Sequence, residues 1–149
     1  MSVTIDFTEE QFKALLKLVY LGNYMINGIR TQPNRLKEFD NLVERIYSVA
    51  QKAGCSDYIE YDKEDKTYQP AAQLEEEADD FIDDYDDNVF WEELILRLSQ
   101  RDLRQEYGTE AVENMELRER LQKQTELEKV YLKEFEDNGI ENITIQKKE

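Results

Sequence analysis

From Ala14 to Ile29 the chain reads ALLKLVYLGNYMINGI, and at 100° per residue its apolar positions do not collect on one stripe. Leu15, Val19 and Ile26 point one way, Leu18 and Met25 another, and Tyr20 and Leu21 elsewhere again. A helix that is apolar on most sides is expected to be surrounded by other helices. Gly22 and Gly28 are poor helix formers, and they fit such a place if neighbouring backbones come close there. The other segments are therefore read as a cover around this one.

Ahead of it, Val3, Ile5 and Phe7 alternate with polar residues as a short strand does. Thr8 and Gln11 have capping-box spacing, which starts the first helix at Glu9 and carries it to about Ile29. Pro33 forces its end, because the residue before a proline leaves the helical region. A second helix is expected from about Asn34 to Ala53 with Leu36, Phe39, Val43, Ile46, Tyr47, Ala50 and Ala53 on one stripe, closed by Gly54. The short link between the two predicts an antiparallel pair. Cys55–Gln73 is the least helical stretch and reads equally as a small hairpin or a long loop, with Tyr58, Tyr61 and Tyr68 lying over the bundle.

A third helix is expected from about Ala72 to Asp86, its narrow apolar face made of Leu74, Ala78, Phe81, Ile82 and Tyr85. Asp87 or Asn88 would cap a fourth, running to Tyr107 on two apolar faces, with Gly108 closing it. After a short turn of helix at 109–114, a fifth is expected from about Met115 to Asp137, burying Leu117, Leu121, Leu127, Tyr131, Leu132 and Phe135. The closing Ile140–Gln146 alternates again and is expected to pair with Val3–Phe7. The result is a mainly all-α protein, residues 1–149 as a single-domain bundle of about five helices around a central apolar helix, with short extended N- and C-terminal segments.

Composition changes this picture mainly at the surface. A hydrophobic content of 40%, with nine Tyr, six Phe and one Trp, is enough for a core despite a charged fraction of 36%. A net charge of −16 repels phosphate backbones and anionic lipid, so neither nucleic acid nor membrane is expected as a partner. The apolar stretch is too short to span a bilayer and contains Lys17, Asn23 and Asn27. No secretory signal pattern is visible in MSVTIDFTEE, and the single cysteine, Cys55, fits a reducing cytoplasm as a small buried hydrophobe.

The chain contains no histidine, which removes Ser-His and Cys-His nucleophile activation and most zinc and di-iron sites. One feature exceeds what a fold needs. Between Thr67 and Leu96 stand eleven acids and no Lys or Arg. Glu76/Asp80, Asp79/Asp83, Asp80/Asp84 and Asp83/Asp87 are like-charged i,i+4 pairs, each costing about 0.2–0.5 kcal/mol.

Three readings follow. The run is a solubilising face. Or it is a docking surface for a basic partner protein, formed by Glu75, Glu76, Asp79, Asp80, Asp83, Asp86 and Asp87 with Glu92 and Glu93 beyond, in a non-enzymatic interaction module with no cofactor. Or Glu77, Asp80, Asp84 and Glu92 hold Mg²⁺, an arrangement similar to the carboxylate cluster of all-α nucleotide pyrophosphohydrolases, which implies a Mg²⁺-dependent phosphohydrolase. Asp84, Asp86 and Asn88 match the first positions of an EF-hand loop, but Val89 and Ile95 stand where it needs glycine and glutamate. The expectation carried forward is the docking surface.

Overall fold

The computed structural model describes residues 3–145, and it is mainly α-helical. In chain order it has α1 (Glu9–Asn27), α2 (Lys37–Tyr47), β1 (Ile59–Asp62), β2 (Thr67–Pro70), α3 (Ala72–Tyr107), α4 (Thr109–Asn114) and α5 (Leu117–Asn138). Two compact units divide the chain between Tyr85 and Asp86, within α3.

The first unit is built on α1, α2 and the hairpin. The Thr8 hydroxyl accepts from the Gln11 amide and the Gln11 side chain accepts from the Thr8 amide, so the capping box starts α1 at Glu9 as expected. Its inward face supplies Phe12 and Leu16 to a core completed by Tyr47, Ala50, Cys55, Tyr58, Ile59 and Leu74. Leu16, Ile59 and Leu74 are sealed from solvent, one each from α1, β1 and α3. Cys55 is sealed with them, its burial pushing the thiol above its ordinary value.

The link from α1 to α2 is held by a polar residue rather than an apolar one. Asn27 is fully buried; its amide donates to Asn23 Oδ1, the Leu36 carbonyl and Asp40 Oδ1, and its oxygen accepts from the Leu36 amide. With Arg35 bonded to Asp40 at 2.6 Å, this network pins the turn and starts α2 at Lys37, three residues later than the apolar stripe suggests. The helix stops at Tyr47, and the chain continues in turns to Gly54, whose φ of +78° is the left-handed conformation a glycine adopts at little cost. The stripe through Ala50 therefore reaches the core without the helix extending to Ala53.

The open choice at 55–73 resolves to a hairpin: β1 and β2 are antiparallel, with Tyr61 opposite Tyr68 and their rings 4.9 Å apart. Asp62 Oδ1 accepts from the Glu64 and Asp65 amides and shapes the turn. This is the one sheet among the described residues. Neither Val3–Phe7 nor residues 140–145 form strands, so the expected pairing of the termini is not made; Ser2 and Gln146 lie outside the described residues.

Two expectations about the helices are corrected. First, α1 is covered on one side only: Leu18 is 67% and Met25 57% exposed, and, its own helix backbone and chain neighbours apart, nothing among the described residues lies within 4 Å of where a Cβ on Gly22 would sit. The all-round apolar pattern correctly describes the helix, but among the described residues only one face has neighbours. Second, there is no break at Asp87–Asn88. The Asp87 carboxylate accepts from Trp91 Nε1 at 3.0 Å along the helix instead of turning back to cap it, and α3 runs unbroken for 36 residues.

In the second unit the buried residues are Ser99 and Leu103 on α3, Val112 on α4 and Phe135 on α5. Trp91 and Tyr131 both lie against the Phe135 ring. Asp102 accepts from Arg101 and from the Tyr131 hydroxyl. Burial works against its charge, but these two partners hold it below the usual carboxylate range. Gly108, at φ +84°, ends α3 as expected. On α5, Phe135 is buried, whereas Leu117, Leu121 and Leu132 are exposed, because α5 has more apolar positions than one packed face requires.

Replacing Leu16 by Ala, at the centre of the first unit, is expected to cost about 2–5 kcal/mol. Chemical denaturation followed by circular dichroism checks it.

Candidate functional site

The first turns of α3 are anchored, and the following turns are bare. Leu74 and Ala78 are buried, and between them Glu77 faces the same side. Its carboxylate receives Lys17 Nζ at 2.6 Å, the Tyr58 hydroxyl at 2.6 Å and Gln73 Nε2 at 3.0 Å. Lys17, then Tyr58, then Gln73 draw its pKa from the usual 4.5 down to about 2. Lys13 and Lys17 also stand over the Tyr58 ring, 5.2 and 5.9 Å from its centre. Burial, then the bond to Glu77, pushes the Tyr58 hydroxyl up. This knot joins α1, the hairpin and α3 at the edge of the core.

Past Ala78 the cover ends. From Asp79 to Asn88 every residue except Ile82 is exposed. Glu75, Glu76, Asp79, Asp80, Asp83, Asp86 and Asp87 all face solvent, and among the described residues none of them forms an ion pair. Glu92 is exposed in the same way, and Glu93 is paired with Arg97 four residues on. From Glu75 to Asp87, Glu77 apart, the acids therefore lie along one helix with no cation among the described residues paired to them.

Phe81 and Tyr85, expected on the buried face with Leu74 and Ala78, are 57% and 53% exposed. The helical period places all four on one side, but the core stops at the first two. Two aromatic rings one turn apart thus stand among the acids, which the sequence pattern assigned to the interior. The exposed ring of Phe90 follows in the second unit.

The alternative set, Glu77, Asp80, Asp84 and Glu92, is not gathered. Glu77 is committed to Lys17, Tyr58 and Gln73, while Asp80 and Asp84 point to solvent on the same helix and Glu92 belongs to the other unit. Among the described residues no three Asp, Glu, Cys or His side chains come together as a metal site. A cleft of about 840 Å³ in the second unit is lined by Arg101, Tyr131, Glu134 and Asn142, with apolar neighbours and no residue of the acidic run. Glu134 there already accepts from Asn138 and Asn142.

No protein family, curated protein or solved structure matches the chain. Among the described residues no helix is long and apolar enough to cross a membrane.

Two measurements follow from this geometry. Glu77 has a depressed pKa, so the stability it contributes is fully present above its unfolded value near 4.5 and is lost as pH falls toward about 2. Glu77→Gln is expected to lower stability near neutral pH and to flatten the dependence across that window, measured by denaturation at a series of pH values. Asp80→Lys is expected to raise stability by about 1 kcal/mol, because repulsion with Glu76 and Asp84 becomes attraction at both i,i+4 spacings; the melting temperature reads it.

Proposed function

We propose that this chain is a non-enzymatic interaction module whose acidic stretch of α3, Glu75–Asp87 with Glu92 and Glu93, docks a basic partner protein. The observation that carries this reading is the exposure of Phe81 and Tyr85 among unpaired carboxylates. A face that serves only to keep a protein dissolved has no use for two bare aromatic rings. A binding face does: aromatic side chains supply anchoring area, and the surrounding charge steers and orients the partner.

Helix stability points the same way. Asp is a poor helix former, and the run stacks like charges at i,i+4 where no packing compensates. A basic partner removes that repulsion on contact. The complementary surface is a segment rich in Lys and Arg with an apolar stripe to meet the two rings. We place the module in the cytoplasm, a setting that suits its single, reduced cysteine.

The test uses immobilised protein, with retained proteins identified by mass spectrometry and then titrated individually. Partners of this surface are expected to be basic and to be lost steeply as salt rises. Joint reversal of Asp79, Asp80 and Asp83 to Lys is expected to abolish binding. Phe81→Ala with Tyr85→Ala, which leaves every charge in place, is expected to weaken it on the order of tenfold. Retention indifferent to salt and to charge reversal removes the proposal, and binding that survives loss of both rings reduces the surface to a polyanion.

A further inference from the structure

The uncovered side of α1 is a second surface, opposite in character to the acidic one. Ala14, Leu18, Gly22 and Met25 follow one another at spacings of four, four and three, all exposed and none charged. Beside them α2 presents Glu38, Asn41, Leu42 and Arg45 to solvent. Between the two helices lies an apolar depression of about 160 Å³ lined by Val19, Gly22, Ile26, Phe39, Leu42 and Ile46. A chain with 36% charged residues thus leaves one helical face, from Ala14 to Met25, without a charge.

We infer that this face is covered by the same face of a second copy of the chain, two α1–α2 hairpins closing into a four-helix dimer about a two-fold axis near Gly22 and Leu42. The pattern is self-complementary. Leu18 and Met25 flank Gly22 by four and three residues, so antiparallel α1 helices set Leu18 against Met25 of the second copy. Gly22, with open space where a Cβ would be, lets the two backbones approach at the axis.

The charges of α2 repeat the symmetry. Glu38 and Arg45 are seven residues apart, which is two turns, so they share a face with Asn41 and Leu42 midway. Both are exposed, and among the described residues neither forms an ion pair. Antiparallel α2 helices bring Glu38 to Arg45 of the second copy, and the two-fold makes that pair twice. A parallel arrangement stacks like on like. An unrelated apolar helix would match the depression alone, whereas a second copy of this chain also brings Arg45 and Glu38 into reciprocal register.

Salt separates this contact from the acidic docking surface. The net charge of −16 per chain opposes association at long range while the contact itself is uncharged along α1, so screening strengthens the dimer.

The 149-residue chain is studied by sedimentation equilibrium at low and high salt. The expected mass is twice 17.8 kDa, with a larger dimer fraction at high salt. Leu18→Glu with Met25→Glu is expected to give a monomer with unchanged helical circular dichroism, since both positions are exposed. Glu38→Arg alone and Arg45→Glu alone are each expected to weaken the dimer on the order of tenfold, and the two together to restore it. Gly22→Cys is expected to give a disulfide-linked dimer under mild oxidation, with the buried Cys55 taking no part. A monomer at every concentration overturns the inference. So does a dimer that survives Leu18→Glu with Met25→Glu, or a double charge exchange that restores nothing.

Discussion

The packing of Leu16, Ile59 and Leu74 is the contact on which the first unit depends. Each comes from a different element, and together they tie the hairpin and the opening turns of α3 to α1. The hairpin has two strands of four residues, below what stands alone in water. The opening turns of α3 are rich in Glu and draw their order from Leu74. Around this apolar contact, polar groups fix direction: Asn27 sets where α2 begins, and Glu77 sets how α3 meets α1 and the hairpin. Apolar burial holds these elements together, and the buried hydrogen bonds select one arrangement of them.

Charge is distributed by the same rule. On the side of α3 that faces the core the acid is matched, with Glu77 answered by Lys17, Tyr58 and Gln73. Where α3 leaves the core, its acids are unmatched and its aromatic residues uncovered. The transition takes less than one turn, between Ala78 and Phe81. A single helix thus joins a segment shaped by folding to one whose composition works against its own helicity, and the second segment is where a function beyond folding has room to act.

What the sequence made legible was local. The Thr8–Gln11 box, the stops at Gly108 and Asn138–Gly139, and the helical periods all follow from residues within a turn or two of each other. The bonding roles of Asn27 and Glu77 were not legible because their partners lie up to sixty residues away, at Leu36, Asp40, Tyr58 and Lys17; a neutral amide on an apolar helix was the one available sign of the first. Asp87 misled because a carboxylate that suits a helix start equally suits a bond to Trp91 along an uninterrupted helix. Periodicity placed Phe81, Tyr85, Leu18 and Met25 on apolar faces correctly, yet it carries no information on whether another element covers such a face. That omission separates the expected bundle from the observed one, and both candidate surfaces lie within it.

Cys55 gives the first unit an internal clock. Its thiol is sealed beside Leu16 and Ile59 and held in the neutral form by burial, so an alkylating reagent reaches it only during excursions in which that packing comes apart. The pace of labelling therefore counts opening events in one half of the molecule without any engineered probe, and binding at either surface registers there as a slower tick.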